Sequence, residues 1–237
     1  MAIRIFFFVR FFKEEKHRQD FIKGDLYMNR LKYFKHYEEE DPCNIGDPHE
    51  GAYKWLQPDQ VVIHITDPRT GKEYPIEGII KPVVFQYTAH DDYHVYCMSA
   101  LYFNDDDRFD SHEEMAAASL LDTSIGDLGD YCLIIKAQPF IDRLDKALEA
   151  LPNDHVFGHG LVQYFDPEVF SGSFEGDAAI FHKRNCFSHQ REYRIFVADE
   201  QQGNTPRIIN IGDLSDIVMS CSKAELNNIV KIQTVDN

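Results

Sequence analysis

The sequence predicts an α+β fold: a single domain, residues 1–237, built on a mixed or antiparallel sheet. Three observations predict it. Many short apolar or alternating segments are separated by turn residues, and only a few helix-period segments lie among them. The chain carries 18 Phe and 12 Tyr against one Trp, and such rings pack well on pleated surfaces. At 237 residues and 43% hydrophobic content, it can bury a substantial core.

Ile3-Arg4-Ile5-Phe6-Phe7-Phe8-Val9-Arg10-Phe11-Phe12 reads as a buried first strand. Arg10 interrupts its apolar run and no small-residue cleavage site follows, which argues against a signal peptide. Residues 14–23 read as a short helix stopped by Gly24. Residues 25–34 form a compact apolar segment around Asn29 and Arg30. Residues 37–55 carry Pro42, Gly46, Pro48 and Gly51, the marks of a long loop. A strand at 61–65, a turn at 67–71 and a strand near 73–80 make a β-hairpin, and residues 56–82 read as a hairpin insertion. Strands follow at 83–87 and 93–101. Ser111 with Glu114 three residues later caps a helix over 113–121. Residues 131–135 are a strongly apolar strand, and 139–151 a helix with Phe140, Leu144, Ala147, Leu148 and Leu151 on one face. Strands are predicted at 157–165, 178–182, 190–197 and 207–211, with a helical or turn segment at 214–218. Residues 224–229 close the series as a weak helix, before a tail carrying Ile232.

Charge bounds the partners. A formal net charge of −16, from 40 Asp plus Glu against 24 Lys plus Arg, repels phosphate backbones and anionic membranes, so generic nucleic-acid binding and membrane association are disfavoured. The same charge suits a protein that occupies a basic surface on a partner protein. Acidic runs at 38–41 and 105–107 serve that reading, or are solvated loops. No segment approaches the ~20 apolar residues of a membrane span. Cys43, Cys97, Cys132, Cys186 and Cys221 are scattered without a C-x-x-C pair, which fits reduced thiols in a cytoplasmic protein.

The densest chemistry lies in Lys183-Arg184-Asn185-Cys186-Phe187-Ser188-His189-Gln190-Arg191-Glu192-Tyr193-Arg194. In a strand, Gln190, Glu192 and Arg194 share one face and Arg191, Tyr193 and Ile195 the other. A carboxylate between an amide and a guanidinium can bind or activate a ligand. It can equally be an ion pair with Arg194, Arg184 or Lys183.

Arg10 on the first strand, Ser99 at the end of a middle strand and Gln190-x-Glu192 on a late one together resemble the Arg, Ser and Gln-x-Glu triad of ADP-ribosyltransferases. That resemblance implies an ADP-ribosyltransferase-like fold and NAD as cofactor. Arg10 would contact the pyrophosphate, Ser99 position the nicotinamide ribose, and Glu192, supported by Gln190, stabilise positive charge developing at the sugar carbon. Met98-Ser99-Ala100 departs from the Ser-Thr-Ser form expected on the middle strand, and Arg4 is a second arginine on the first strand. A second resemblance rests on Phe21-x-x-Gly24-x-Leu26-Tyr27-Met28-Asn29, Tyr33-Phe34 and Gly46-Asp47-Pro48-x-Glu50-Gly51. These, with the late Gln190-to-Arg194 segment, are similar to a family of uncharacterised bacterial and phage proteins, and imply that both segments belong to one domain.

Other constellations carry less. Asp47, His49 and Glu50 can ligate a metal, grip a ribose hydroxyl with Asn29 or Arg30, or bond their own turn. No HExxH motif or Cys/His cluster is present, so no metal is assigned. His155 and His159 are separated by helical spacing, but Pro152, Gly158 and Gly160 oppose a helix there. His182 and His189 flank a polar connection and can approach one another. Cys186, near Lys183, Arg184 and His189, is either an activated thiol or a small buried residue. Gly-rich phosphate loops, nucleophile elbows and kinase signatures are absent.

Three functions follow. The first is an NAD- or nucleotide-utilising transferase or glycohydrolase acting through Glu192, Gln190 and Ser99, with Arg10, Asn29 and Arg194 as cofactor contacts. The second is an acidic phage or defence-related protein binding a basic partner protein. The third is a small-ligand sensor whose pocket is lined by Tyr27, Asn29 and Arg194.

Overall fold

A computed structural model describes residues 3–37, 46–123, 129–199 and 201–230. The acidic run at 38–41, Cys43 and Ile232 fall outside them. The fold is α+β. Its main sheet is antiparallel and organised around one long strand, β7 (His94–Asn104). One edge of β7 carries β1 (Ile3–Phe12), with Val9 opposite Ser99, and β2 (Asp25–Arg30), with Asn29 opposite Val95. The other edge carries β13 (Glu192–Ala198), which pairs Glu192 with Ser99 and Arg194 with Cys97. Beyond β13 lies β9 (Val156–Leu161), beyond β1 lie β8 (Tyr131–Lys136) and β15 (Val218–Ser222), and beyond β2 lies β14 (Arg207–Asn210). β1 reaches along β7 only as far as Ser99 and β2 begins at Val95, so the two strands part opposite Tyr96, Cys97 and Met98.

Side-chain alternation gives the sheet two unlike faces. Phe8, Phe12, Leu26, Met28, Met98 and Ile195 face a core closed by α1 (Glu15–Ile22) and α4 (Ala137–Glu149), which contribute Phe21, Phe140, Leu144 and Leu148. α4 begins two residues earlier than its proline suggests, and its Phe140, Leu144 and Leu148 are buried as the period requires. The opposite face divides. Under β1, β8 and β15, Val9, Phe11, Cys132, Cys221, Leu121 and Leu226 form a second apolar cluster beside α5 (Leu226–Ile229). Under β7 and β13 lie the short helix α2 (Leu31–Lys35), the turn 46–51, and two small sheets. One contains β3 (Ala52–Leu56), β6 (Val83–Gln86) and β11 (Gly172–Ser173); the other is the parallel pair β10 (Gln163–Phe165) and β12 (His182–Arg184).

α3 (His112–Ala118) begins as the capping signal predicts, the Ser111 hydroxyl accepting the Glu114 N–H at 3.0 Å. Gly24 ends α1 at φ +100°, where a Cβ would sit 2.1 Å from the Gly212 carbonyl oxygen. Between β3 and β6 the chain leaves as a hairpin, β4 (Ile63–Thr66) and β5 (Glu73–Ile76), which pairs only with itself among the described strands.

Residues 214–218 hold the turn expected there, closed by the Ile217 N–H on the Leu214 carbonyl at 2.9 Å, and lead into β15. Three local expectations are corrected. Residues 178–182 are largely a 3₁₀ turn, Gly176–Phe181, preceding β12. The 157–165 segment is two strands that pair with different neighbours. Gln190 is not on a strand: a 3₁₀ turn, Asn185–Gln190, ends there, and Arg191 follows in the left-handed conformation at φ 44°. Arg191 instead donates to the carbonyls of Ala100, Ala118 and Tyr102.

Candidate functional site

The face of β7 under α2 and the 46–51 turn opens into a cleft of about 260 Å³. All six sequence-predicted residues line it: Arg10, Asn29, Ser99, Gln190, Glu192 and Arg194. Strand register explains most of that convergence. Ser99 and Glu192 are direct cross-strand partners on one face, Cys97 and Arg194 are the next pair, and Asn29 joins the same face opposite Val95. α2 and the residues after it add Tyr33, Phe34 and Tyr37, and β2 adds Tyr27; Tyr27 and Tyr33 are about half exposed.

Arg10 arrives differently. It lies between Phe8 and Phe12, whose side chains belong to the helix-side core, so it leaves β1 on the face opposite Ser99 and Glu192. Its guanidinium stands over the Tyr96 ring at 4.9 Å and reaches the parting of β1 and β2, where Nη1 donates to the Cys97 carbonyl at 2.8 Å. Nε of Arg10 has no hydrogen-bond partner among the described residues, nor does the buried Tyr96 hydroxyl beside it. Arg4 is exposed at the far end of β1, opposite Phe103, and takes no part in the cleft.

Beneath the cleft is a buried cluster of two cations and two carboxylates. Arg194 donates through Nε to Glu192 at 2.6 Å, through Nη1 to Glu50 at 2.7 Å, and through Nη1 again to the Ile180 carbonyl at 2.6 Å. Lys183 lies 3.0 Å from Glu50 and 3.4 Å from Glu192, and donates to the Gln190 amide oxygen at 2.9 Å. The side chains of all four charged residues are 1–6% exposed. Burial alone would raise the Glu192 pKa, but Arg194 and Lys183 outweigh it and hold the carboxyl at about 2. Burial likewise opposes the Lys183 ammonium, and Glu50 and Glu192 overcome it, so Lys183 titrates above its ordinary range. Glu192 is therefore an ionised acceptor, not a proton donor, at neutral pH.

The cluster and its neighbours revise several expectations. Arg194, predicted as a cofactor contact, already donates to two carboxylates and a carbonyl. The carboxylates of the 46–51 turn are engaged in the fold: Glu50 with Arg194 and Lys183, Asp47 with Arg184 at 2.8 Å and with the His49 N–H at 2.9 Å. Arg30, offered as their companion, lies buried and ties residues 201–205 to the sheet through the Gln201 and Thr205 carbonyls. Cys186 is disulfide-bonded, which removes it as an activated thiol and corrects the expectation of reduced cysteines throughout; Cys97, Cys132 and Cys221 are free. Burial raises the Cys97 thiol pKa, and the adjacent Glu192 charge adds to that, so Cys97 stays protonated in the cleft floor.

The four histidines that the sequence singled out are each hydrogen-bonded within the fold. His159 bridges Asp145 of α4, at 2.6 Å, and the Tyr193 hydroxyl, at 2.5 Å. His155 contacts Asp154 and Arg207, while His182 and His189 each bond a backbone carbonyl, of Ala178 and Cys186.

Beside Arg10 Nε and the Tyr96 hydroxyl, the cleft offers the Ser99 and Asn29 side chains, which are partly exposed and have no hydrogen-bond partner among the described residues. Of the three cations the sequence offered as ion-pair partners of Glu192, Arg194 and Lys183 take that place and Arg184 pairs with Asp47 instead; Glu50, which sequence reasoning did not place beside Glu192, completes its surroundings. No local signal could have found Glu50, since 144 positions separate it from Arg194. No protein-family model, curated protein or solved structure matches the chain.

Proposed function

We propose that the cleft binds a nucleotide and that the chain is an NAD- or nucleotide-utilising transferase or glycohydrolase. The observation that carries this reading is the pairing of Ser99 and Glu192 across β7 and β13 inside a cleft that also receives the Arg10 guanidinium and an aromatic rim. Tyr27, Tyr33, Phe34 and Tyr37 suit a base or nicotinamide ring, which stacks on or against aromatic faces. The Arg10 guanidinium suits a phosphate oxygen. The open hydroxyl of Ser99 and amide of Asn29 suit ribose hydroxyls.

On NAD the reaction would break the bond between the nicotinamide nitrogen and the ribose C1′, the bonding pair leaving with nicotinamide. Positive charge develops at C1′, and an ionised Glu192 held a cross-strand step from Ser99 stabilises it. Water or an acceptor nucleophile then bonds to C1′ and releases one proton to solvent. Glu192 requires no proton of its own at any step, in keeping with a carboxyl held at about 2.

Chromatographic assay of nicotinamide release from NAD tests the reading. Wild type is expected to release nicotinamide, and Ser99→Ala to lower kcat/KM by about tenfold to a hundredfold with an unchanged Tm. Absence of release from wild type, with NAD bound, would leave a binding protein and remove the catalytic role.

A further inference from the structure

We infer that the β4–β5 hairpin is a self-association surface whose occupant is a second copy of this chain. Its register pairs Ile63 with Ile76 and Ile65 with Tyr74, so these four side chains share one face, while His64, Thr66, Glu73 and Pro75 share the other. The four apolar residues are 36%, 41%, 59% and 47% exposed in that order, and Val62 and Ile80 at the hairpin's base are 72% and 87% exposed. A two-stranded ribbon is marginal in water by itself. A ribbon that offers water a continuous apolar face lacks the covering layer that would stabilise it.

Charge selects the occupant. Residues 61–81 contain Asp67, Glu73 and Glu77 against Arg69, Lys72 and Lys81, a net charge of zero. The remaining residues therefore hold 37 acidic and 21 basic groups, and the whole −16 of the chain lies outside this segment. Two copies repel one another across most of their surfaces but not here. A basic partner, by contrast, gains nothing from a neutral face and would be drawn to the acidic surfaces. The face is also self-complementary under a twofold axis, because both cross-strand pairs are apolar and neither carries a charge that its symmetry mate would oppose.

Sedimentation equilibrium of the full chain tests the inference. Wild type is expected to dimerise, and to do so more tightly as salt rises from about 0.05 to 0.5 M, since salt screens the repulsion between the acidic bodies. Ile65→Lys on the apolar face should weaken the dimer at least about tenfold. Thr66→Lys on the polar face should leave it intact, and both variants should melt with wild type. Replacing residues 63–76 by a short Gly-Ser linker should give a folded monomer, which guards against misfolding of Ile65→Lys. A wild type that is monomeric at about 100 μM, where a dimer with a Kd of about 10 μM would be mostly formed, overturns the inference. So does a dimer that survives both Ile65→Lys and the linker.

Discussion

At the scale of single residues, Glu192 is both the group with the most chemical promise and a member of a buried ion cluster. The two roles predict different things. Replacing one partner of a buried pair leaves the others uncompensated, so Glu192→Ala should cost about 3–5 kcal/mol in denaturant unfolding. Glu192→Gln should cost less, because the amide still accepts from Arg194, yet it is not free of a stability effect. Loss of activity in either variant therefore has to be read against its unfolding curve. The pH dependence has a definite sign. The folded carboxyl is depressed to about 2, below an unfolded value of about 4.3. Its stabilisation is complete above that unfolded value and is lost as pH falls toward 2. Wild type should lose stability across this window, and Glu192→Gln should lose markedly less; equal slopes would show that Glu192 is not the group responsible. Ser99 and Asn29 are cleaner probes, since neither side chain is hydrogen-bonded to the fold among the described residues.

The elements show how far local pattern reaches. β1, β7, β8 and β13 were legible as strands because apolar and aromatic residues run through them, and α4 because Phe140, Leu144 and Leu148 recur at helical spacing. The alternation of Glu192 and Arg194 was legible too, and both face the cleft. Gln190 was misplaced because nothing in its neighbours signals the left-handed Arg191 that turns the chain into β13. Arg10 shows a second limit. Its own strand could be read, but the face it takes relative to Ser99 depends on how β1 registers against β7, a long-range pairing with no local trace. Gly24 illustrates a turn that was legible and has a measurable cost. With φ at +100° and the Gly212 carbonyl in the way of a Cβ, Gly24→Ala should lose on the order of 2–4 kcal/mol in unfolding. Gly71→Ala, at φ +68° with open space around it, should lose only about 1 kcal/mol.

For the whole molecule, the main sheet divides the labour. Its helix side supplies the largest apolar core, and its other side holds the cleft, with the ion cluster as a rigid floor and α2 with its neighbouring aromatics as the rim. The parting of β1 from β2 lets a helix-side arginine reach a site on the other side. No residue pattern announced that gap, which exists only because two strands share one edge of β7. The net charge of −16 and the cleft are separate properties of the chain, one a matter of its composition and the other of strand register.

The most direct test of the cleft as a nucleotide site is isothermal titration calorimetry with NAD on wild type, Ser99→Ala and Asn29→Ala. Saturable binding to wild type is expected, weakened about fivefold to fiftyfold in each variant, as loss of one or two hydrogen bonds implies, with thermal unfolding of the unliganded proteins unchanged. Absence of binding to wild type at millimolar NAD, or binding that neither substitution weakens, would contradict it.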